Sequence, residues 1–247
     1  MYLIIKIYQK NNLNSSTMKK LLLFALITLL NFSSGFSQKG NSINSAMTDI
    51  RDVFRYKNLD NNYKNYEGNP YLNSEFSLGT IINIEMQKVY SYPIRYNVYE
   101  DKIEIQKEDK SIVNLAKVNY FDIQIFEKKF QLIEYENKGE KKIGYLEVIL
   151  NSKKIELYNK HSRTLISAKT AKSSYENDKP ARFNSSESFY FKLKGHKIEF
   201  LPKKKKDFLK VFSSKSNQIN LFMKKNKLKN SKKEDIVKIF KYYSTLG

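Results

Sequence analysis

From Gly68 to Gln106 the chain alternates apolar and polar residues, breaks at turn residues and alternates again. This is the period-two signature of half-buried antiparallel strands. Ile82, Ile84 and Met86 fall on one strand face and Asn83, Glu85 and Gln87 on the other, which predicts the first set as core. Pro93 cannot donate to a sheet ladder and suits a strand start or an edge. Beyond it, Ile94, Tyr96 and Val98 share a face opposite Arg95, Asn97 and Tyr99. Glu100 and Asp101 then turn the chain tightly into Ile103 and Ile105, so a hairpin is expected.

The alternation runs on through Val113 and Leu115, Ile123 and Ile125, and Phe130 and Leu132, each pair sharing one strand face. Turn residues at 137–140 and 151–153 frame two further strands, with Leu146, Val148 and Leu150 aligned in the first and Ile155 and Leu157 in the second. Short strands with short connections and no helical period between them argue for antiparallel pairing, not βαβ units. A polar stretch, Ser167 to Ser188, reads as a long loop before a last hairpin of Phe189–Leu193 and His196–Leu201. After Pro202 the period changes to three-four spacing, through Phe208, Val211 and Phe212, then Ile219, Phe222 and Met223, then Ile236, Ile239, Phe240 and Tyr243. Ser231 and Glu234 match a capping box for the last helix. The expected fold is mainly β, an antiparallel meander forming a sandwich-like or open-barrel domain, with a short C-terminal α-helical segment.

The run Gly68-Asn69-Pro70-Tyr71-Leu72-Asn73, with Phe76 and Gly79, followed by Pro93-Ile94-Arg95-Tyr96-Asn97-Val98-Tyr99 with Asp101, Ile103 and Glu104, resembles a group of uncharacterised exported proteins from Bacteroidetes. The resemblance covers Gly68 to Tyr158. It implies an exported β-rich protein and assigns no functional residue.

The N-terminal region carries an address. Met18-Lys19-Lys20 is a charged start, Leu21 to Leu30 an apolar run, and Ser33 to Ser37 a small polar segment, the order of a secretory signal peptide. About twenty apolar residues are needed to span a bilayer, so this run is too short to remain as an anchor. Cleavage is expected after Ser37, leaving Gln38 at the mature N-terminus, with Met18 as the natural start. Four regions are expected: residues 1–37, an upstream segment plus signal peptide; 38–67, a flexible lead-in with a short helix on Met47, Ile50, Val53 and Phe54; 68–201, the antiparallel β-domain; and 202–247, basic helices packed on it.

Charge changes the picture less than its size suggests. The net charge is +20 over 247 residues, and removing residues 1–37 with their four lysines leaves 210 residues at +16. Only Arg51, Arg55, Arg95, Arg163 and Arg182 are arginine, and lysine supplies the rest. Specific phosphate readers favour the bidentate arginine fork, which argues against dedicated nucleic-acid recognition. The absence of cysteine removes disulfides, thiolate metal sites and cysteine nucleophiles together.

Candidate chemistry is sparse. Lys203, Lys204, Lys205 and Lys206, with Lys224, Lys225, Lys232 and Lys233, are the candidate contacts for an anionic envelope component, set against a simple solvated helix surface. Tyr90, Tyr92, Tyr96 and Tyr99 read as strand packing more than as a stacking platform. Glu134 and Glu136 read as a solvated face before a glycosidase pair. His161 beside Ser162, and His196 near Glu199, do not make a triad. No catalytic, cofactor-binding or metal-ligating set is assigned. Two function classes follow: an exported, non-catalytic binding or structural module of the envelope, with an anionic component or another envelope protein as partner, and an envelope-directed hydrolase whose carboxylates remain unidentified.

Overall fold

The structure, a computed structural model, describes residues 54–56, 63, 66–137, 139–173, 175–193 and 195–246. All of them belong to the compact unit Asp52–Gly247. Its described residues form one open antiparallel sheet of eleven strands followed by helices. The first strands are β1 (Phe54–Tyr56), β2 (Ser77–Asn83), β3 (Lys88–Asn97), β4 (Lys102–Gln106), β5 (Ile112–Leu115) and β6 (Phe121–Ile125). Then come β7 (Lys128–Asn137), β8 (Glu140–Asn151), β9 (Ile155–Ile166), β10 (Arg182–Leu193) and β11 (Glu199–Phe200). The helices are α1 (Lys205–Lys210), α2 (Ser216–Lys225) and α3 (Lys233–Thr245).

The sheet order, β1-β5-β4-β3-β2-β6-β7-β8-β9-β10-β11, is two meanders joined where β6 returns to pair with β2. Register places the large apolar side chains of the first meander on one face. Ile81 lies opposite both Tyr90 and Ile123, Ile94 opposite Ile105, and Ile123 opposite Phe130, and all are buried. Gly79 belongs to this face because an added Cβ would sit 2.5 Å from Ile94 and 2.7 Å from the Gln124 carbonyl. The backbone carbonyl cannot retreat as a side-chain end can, so the close approach demands glycine.

Two satellite cores complete the domain. Tyr135, Leu146, Tyr158 and Tyr190 pack together, with Val148 and Phe200 against them. Ile155, Leu157 and Phe191 meet the helices at Phe208, Phe212, Ile219, Met223, Ile236, Ile239 and Phe240. The three-four spacing after Pro202 therefore marks the helix faces that dock on β9 and β10.

A short strap, residues 66–72, bridges distant parts of the sheet. Glu67 donates its N–H to the Ala181 carbonyl and accepts from Phe183 N–H at the start of β10, both at 2.9 Å. Five residues on, Leu72 N–H donates to the Tyr96 carbonyl, and the Pro70 carbonyl accepts from Val98 N–H, each at 2.9 Å. The strap thus ties β10 to the end of β3.

Several expectations are corrected. In β2 the buried residues are Gly79, Ile81 and Asn83, whereas Ile82 is half-buried and Ile84 and Met86 are 52% and 51% exposed. The phase is inverted because the Asn83 side chain turns inward and accepts N–H bonds from Glu85 and Met86 at 3.1 and 3.0 Å. Ile84 then lies in the turn. Leu146 is buried, but Val148 and Leu150 are only half-buried, because the register slips between them. The polar stretch is shorter than read, since β9 reaches Ile166 and β10 begins at Arg182. Phe54 lies in a strand paired with β5, while Met47, Ile50 and Val53 lie outside the described residues. The capping box does not form. α3 has Lys232 at its N-cap with no side-chain cap bond, and Asp235 instead accepts from Lys229 N–H at 2.9 Å.

Ile81→Ala is expected to cost about 2 to 5 kcal/mol in urea unfolding. Ile84→Ala should stay within about 0.5 kcal/mol of the parent, as an exposed turn position does. Gly79→Ala should destabilise by about 1 to 3 kcal/mol, the usual cost of overpacking. Equal effects of the two isoleucine changes would refute the inverted phase.

Candidate functional site

The residues of the Gly68–Glu104 motif converge on Arg95. Its guanidinium lies 3.8 Å from the Tyr71 ring centroid and 4.3 Å from that of Phe76. It donates to the Tyr71 hydroxyl at 2.9 Å and the Ser74 carbonyl at 3.0 Å, and pairs with the wholly buried Glu104 at 2.7 Å. Asn97 donates to the other Glu104 oxygen at 3.1 Å. Every polar group here is used in holding the strap and the β3–β4 hairpin together. This is a structural clamp.

Asp101, in the β3–β4 turn at φ +55°, reaches a place where β8 and β9 part. Their pairing runs from Asn151–Glu156 only as far as Glu147–Asn159. Beyond it, Asp101 accepts from Tyr145 N–H at 3.3 Å, from the Tyr96 hydroxyl at 2.6 Å, from Lys117 at 2.6 Å and from Lys160. Lys160 also donates to the Tyr145 carbonyl at 3.2 Å, so side chains replace the missing ladder. Burial pushes the Asp101 carboxyl up, but the Lys160 charge and the bonds from Lys117, Lys160 and Tyr96 outweigh it and hold the group below its ordinary value. Burial first, and the Asp101 charge second, push the Tyr96 phenol well above its ordinary value.

The third centre is Glu147 on β8, 4% exposed. It meets His161 Nε2 at 2.8 Å, Lys233 at 2.7 Å, Lys128 at 3.1 Å and Asn159 at 3.3 Å. Burial works against its charge, but hydrogen bonds from His161, Lys233 and Lys128 win and hold its carboxyl well below the carboxylate range. His161 Nδ1 lies 3.2 Å from Glu187, so each ring nitrogen faces a carboxylate. Neither nitrogen is presented to an incoming substrate, and a general base requires one that is.

The predicted lysines divide. Lys203, Lys204, Lys205, Lys206, Lys224, Lys225 and Lys232 are exposed, and none of them closes a salt bridge among the described residues. Lys233 is the exception, turned inward to Glu147 from the first turn of α3. The Asn230 side chain donates to the Lys203 carbonyl at 2.8 Å. That bond brings the Lys203–Lys206 run beside the 224–233 connection, so two lysine groups apart in sequence form one edge.

Glu134 and Glu136 are met by Lys141 at 3.2 Å and Lys197 at 3.9 Å. Glu136, His196, Lys197 and Glu199 line a shallow cleft at the β10–β11 turn, with Phe200 at its wall. Tyr90, Tyr92 and Tyr96 are buried on one face, with Tyr99 out of phase and 41% exposed. No group of three or more His, Cys, Asp or Glu able to hold a metal ion occurs among the described residues.

Sequence reading missed Glu147, Asp101 and Lys160 as interacting centres, since their partners lie up to 86 residues away. One signal was present. Glu147 shares a strand face with the buried Tyr145, where a charge is not expected, whereas Glu104 between Ile103 and Ile105 sits where alternation expects solvent and gave no signal. Glu147→Gln should cost about 2 to 4 kcal/mol at pH 7, because it strands the buried donors around it. The folded carboxyl is depressed, so its contribution is present above the unfolded glutamate value, about 4.3, and is lost as pH falls through the folded one. The gap between variant and parent in urea unfolding should therefore shrink below about pH 4.3. A constant gap would refute the role. Comparison of the chain with known protein families, with curated proteins and with solved structures finds no match.

Proposed function

We propose that this chain is a non-catalytic binding module exported to the cell envelope, whose sheet is a scaffold and whose lysine-lined helical edge contacts an anionic envelope component. The observation that carries this reading is the junction at Asn230 and Lys203, which joins two lysine groups into one edge where lysines far outnumber carboxylates. From Pro202 to Gly247 the chain has fourteen lysines against Asp207, Glu234 and Asp235. Asp207 is spent on Lys210 at 2.9 Å, and Asp235 on the Lys229 backbone. The residues best suited to catalysis, His161, Glu147, Asp101 and Lys160, are paired with one another or with neighbours, which favours a scaffold over a hydrolase.

Export is proposed from the charged, apolar and small-residue order of Met18 to Ser37, and the resemblance of Gly68–Tyr158 to exported Bacteroidetes proteins supports it. No helix among the described residues is long and apolar enough to cross a membrane. The hydrolase reading would rest on the Glu136–His196–Glu199 cleft. It predicts hydrolysis of envelope polysaccharide that Glu136→Gln abolishes.

Two measurements test the proposal. N-terminal sequencing of the protein from the envelope fraction should begin at Gln38, and intact Met1 or Met18 in soluble cytoplasm would refute export. Binding to polyphosphate or lipopolysaccharide should fall steeply with salt, since the Debye length is about 8 Å at physiological ionic strength. Changing Lys203–Lys206 to glutamine should weaken it roughly ten-fold or more without lowering the melting temperature. Salt-insensitive binding, or full binding by that variant, would return these lysines to a solvated surface.

A further inference from the structure

We infer that the partner of the lysine edge is the surface of an acidic phospholipid bilayer, with Leu221 entering the headgroup layer among the lysines. This rests on the anion-binding reading above and narrows its partner.

The argument starts from α2, Ser216–Lys225. Ile219 and Met223 are buried against the sheet, and that burial fixes which side of the helix faces out. On the outward side stand Asn217, Leu221, Lys224 and Lys225, spaced so that Leu221 lies beside both lysines. Leu221 is 66% exposed. It has no freedom to fold back with its helix, because the neighbouring Phe222 stacks on Tyr242 of α3 at 4.0 Å and 13°. One exposed leucine on a surface is ordinary. A leucine locked outward beside two lysines, on a cap where lysines far outnumber carboxylates, combines the apolar and cationic contacts that an interfacial helix uses.

The kind of charge suits a partner that presents many anionic groups without a fixed geometry. All the cations after Pro202 are lysine, compact point charges without the planar fork that reads a particular phosphate geometry. They project from α1 at Lys205 and Lys206, from α2 at Lys224 and Lys225, and from α3 at Lys238 and Lys241, all exposed, while Lys210 pairs with Asp207. Lysine stems can lie along an apolar boundary while their ammonium groups stay with the headgroups. A soluble polyanion would use the same charges, but it gives Leu221 nothing to enter. Since the remaining apolar faces of the helices are committed to the sheet, a single leucine adds too little for binding without charge. The contact is therefore reversible and requires acidic lipid.

The chain from Gln38 onward contains the whole Asp52–Gly247 unit and omits the apolar Leu21–Leu30 run, so it is the form to test. The chain has no tryptophan, so Leu221→Trp provides a unique fluorophore. Its emission should shift to the blue on phosphatidylglycerol–phosphatidylcholine vesicles, and stay unchanged on phosphatidylcholine alone or on polyphosphate. Leu221→Gln should weaken binding to the mixed vesicles about five-fold, the loss of part of one leucine's transfer, and leave polyphosphate binding as it was. Vesicle binding without a blue shift, or binding indifferent to Leu221→Gln, overturns the bilayer assignment and leaves anion binding standing. Failure to bind either vesicles or polyphosphate overturns both.

Discussion

Between β8 and β9 the ladder ends at Glu147 and Asn159, and what holds the chain beyond that point is a carboxylate contributed 44 residues upstream of its backbone partner Tyr145. Asp101 answers the Tyr145 N–H, and Lys160 the Tyr145 carbonyl, so the two orphaned backbone groups are satisfied without a neighbouring strand. The space is tight. A Cβ on Gly144 would sit 2.9 Å from Asp101 and 3.1 Å from Lys160. The parting lets the β3–β4 turn enter, and the strap and Arg95 clamp then hold that turn in place. Removing one partner of this half-buried pair would leave the other's charge uncompensated, whereas a well-packed apolar replacement can be neutral. The pair thus fixes where the sheet opens more than it adds stability.

Local alternation made much of the fold legible and long-range charge did not. β3 and β4 could be read because Ile94, Tyr96, Val98, Ile103 and Ile105 keep strict phase across a turn, and all are buried. β2 misled because its polar residue is inside and its apolar ones outside. Asn83 serves the backbone of its own turn, and Ile84 has already left the strand. The docking faces of the helices were readable since burial selects one stripe, but the start of α3 was not. There the capping role passed from Ser231 to no side chain at all. Of the site, the lysine positions could be named, but their junction depended on one side-chain bond from Asn230, and Lys233 proved to be part of the Glu147 centre.

The Gly68–Glu104 motif acquires a physical meaning. Tyr71 and Phe76 both pack on Arg95, Gly79 admits Ile94, Asn97 and Arg95 satisfy Glu104, and Asp101 wedges the sheet. Each is explained by what it supports. Most chemistry-bearing side chains of this half of the sheet are consumed by architecture, while the lysine excess is densest in the helical segment after Pro202.

The sheet is also tapered. Its inner strands β8, β9 and β10 have twelve residues each, while the strands at its two borders, β1 and β11, have three and two. A long bare border is a template on which another chain can add a strand and begin a fibre. β11 covers only Tyr190 and Phe191 of β10 and the strap reaches only its start, so on the side away from β9 residues 184–188 are the stretch without a partner strand among the described residues, and Asn184, Ser185, Ser186, Glu187 and Ser188 make it polar. A polar, glutamate-bearing edge of this kind, with short strands at the two ends of the order, favours separate molecules over strand addition.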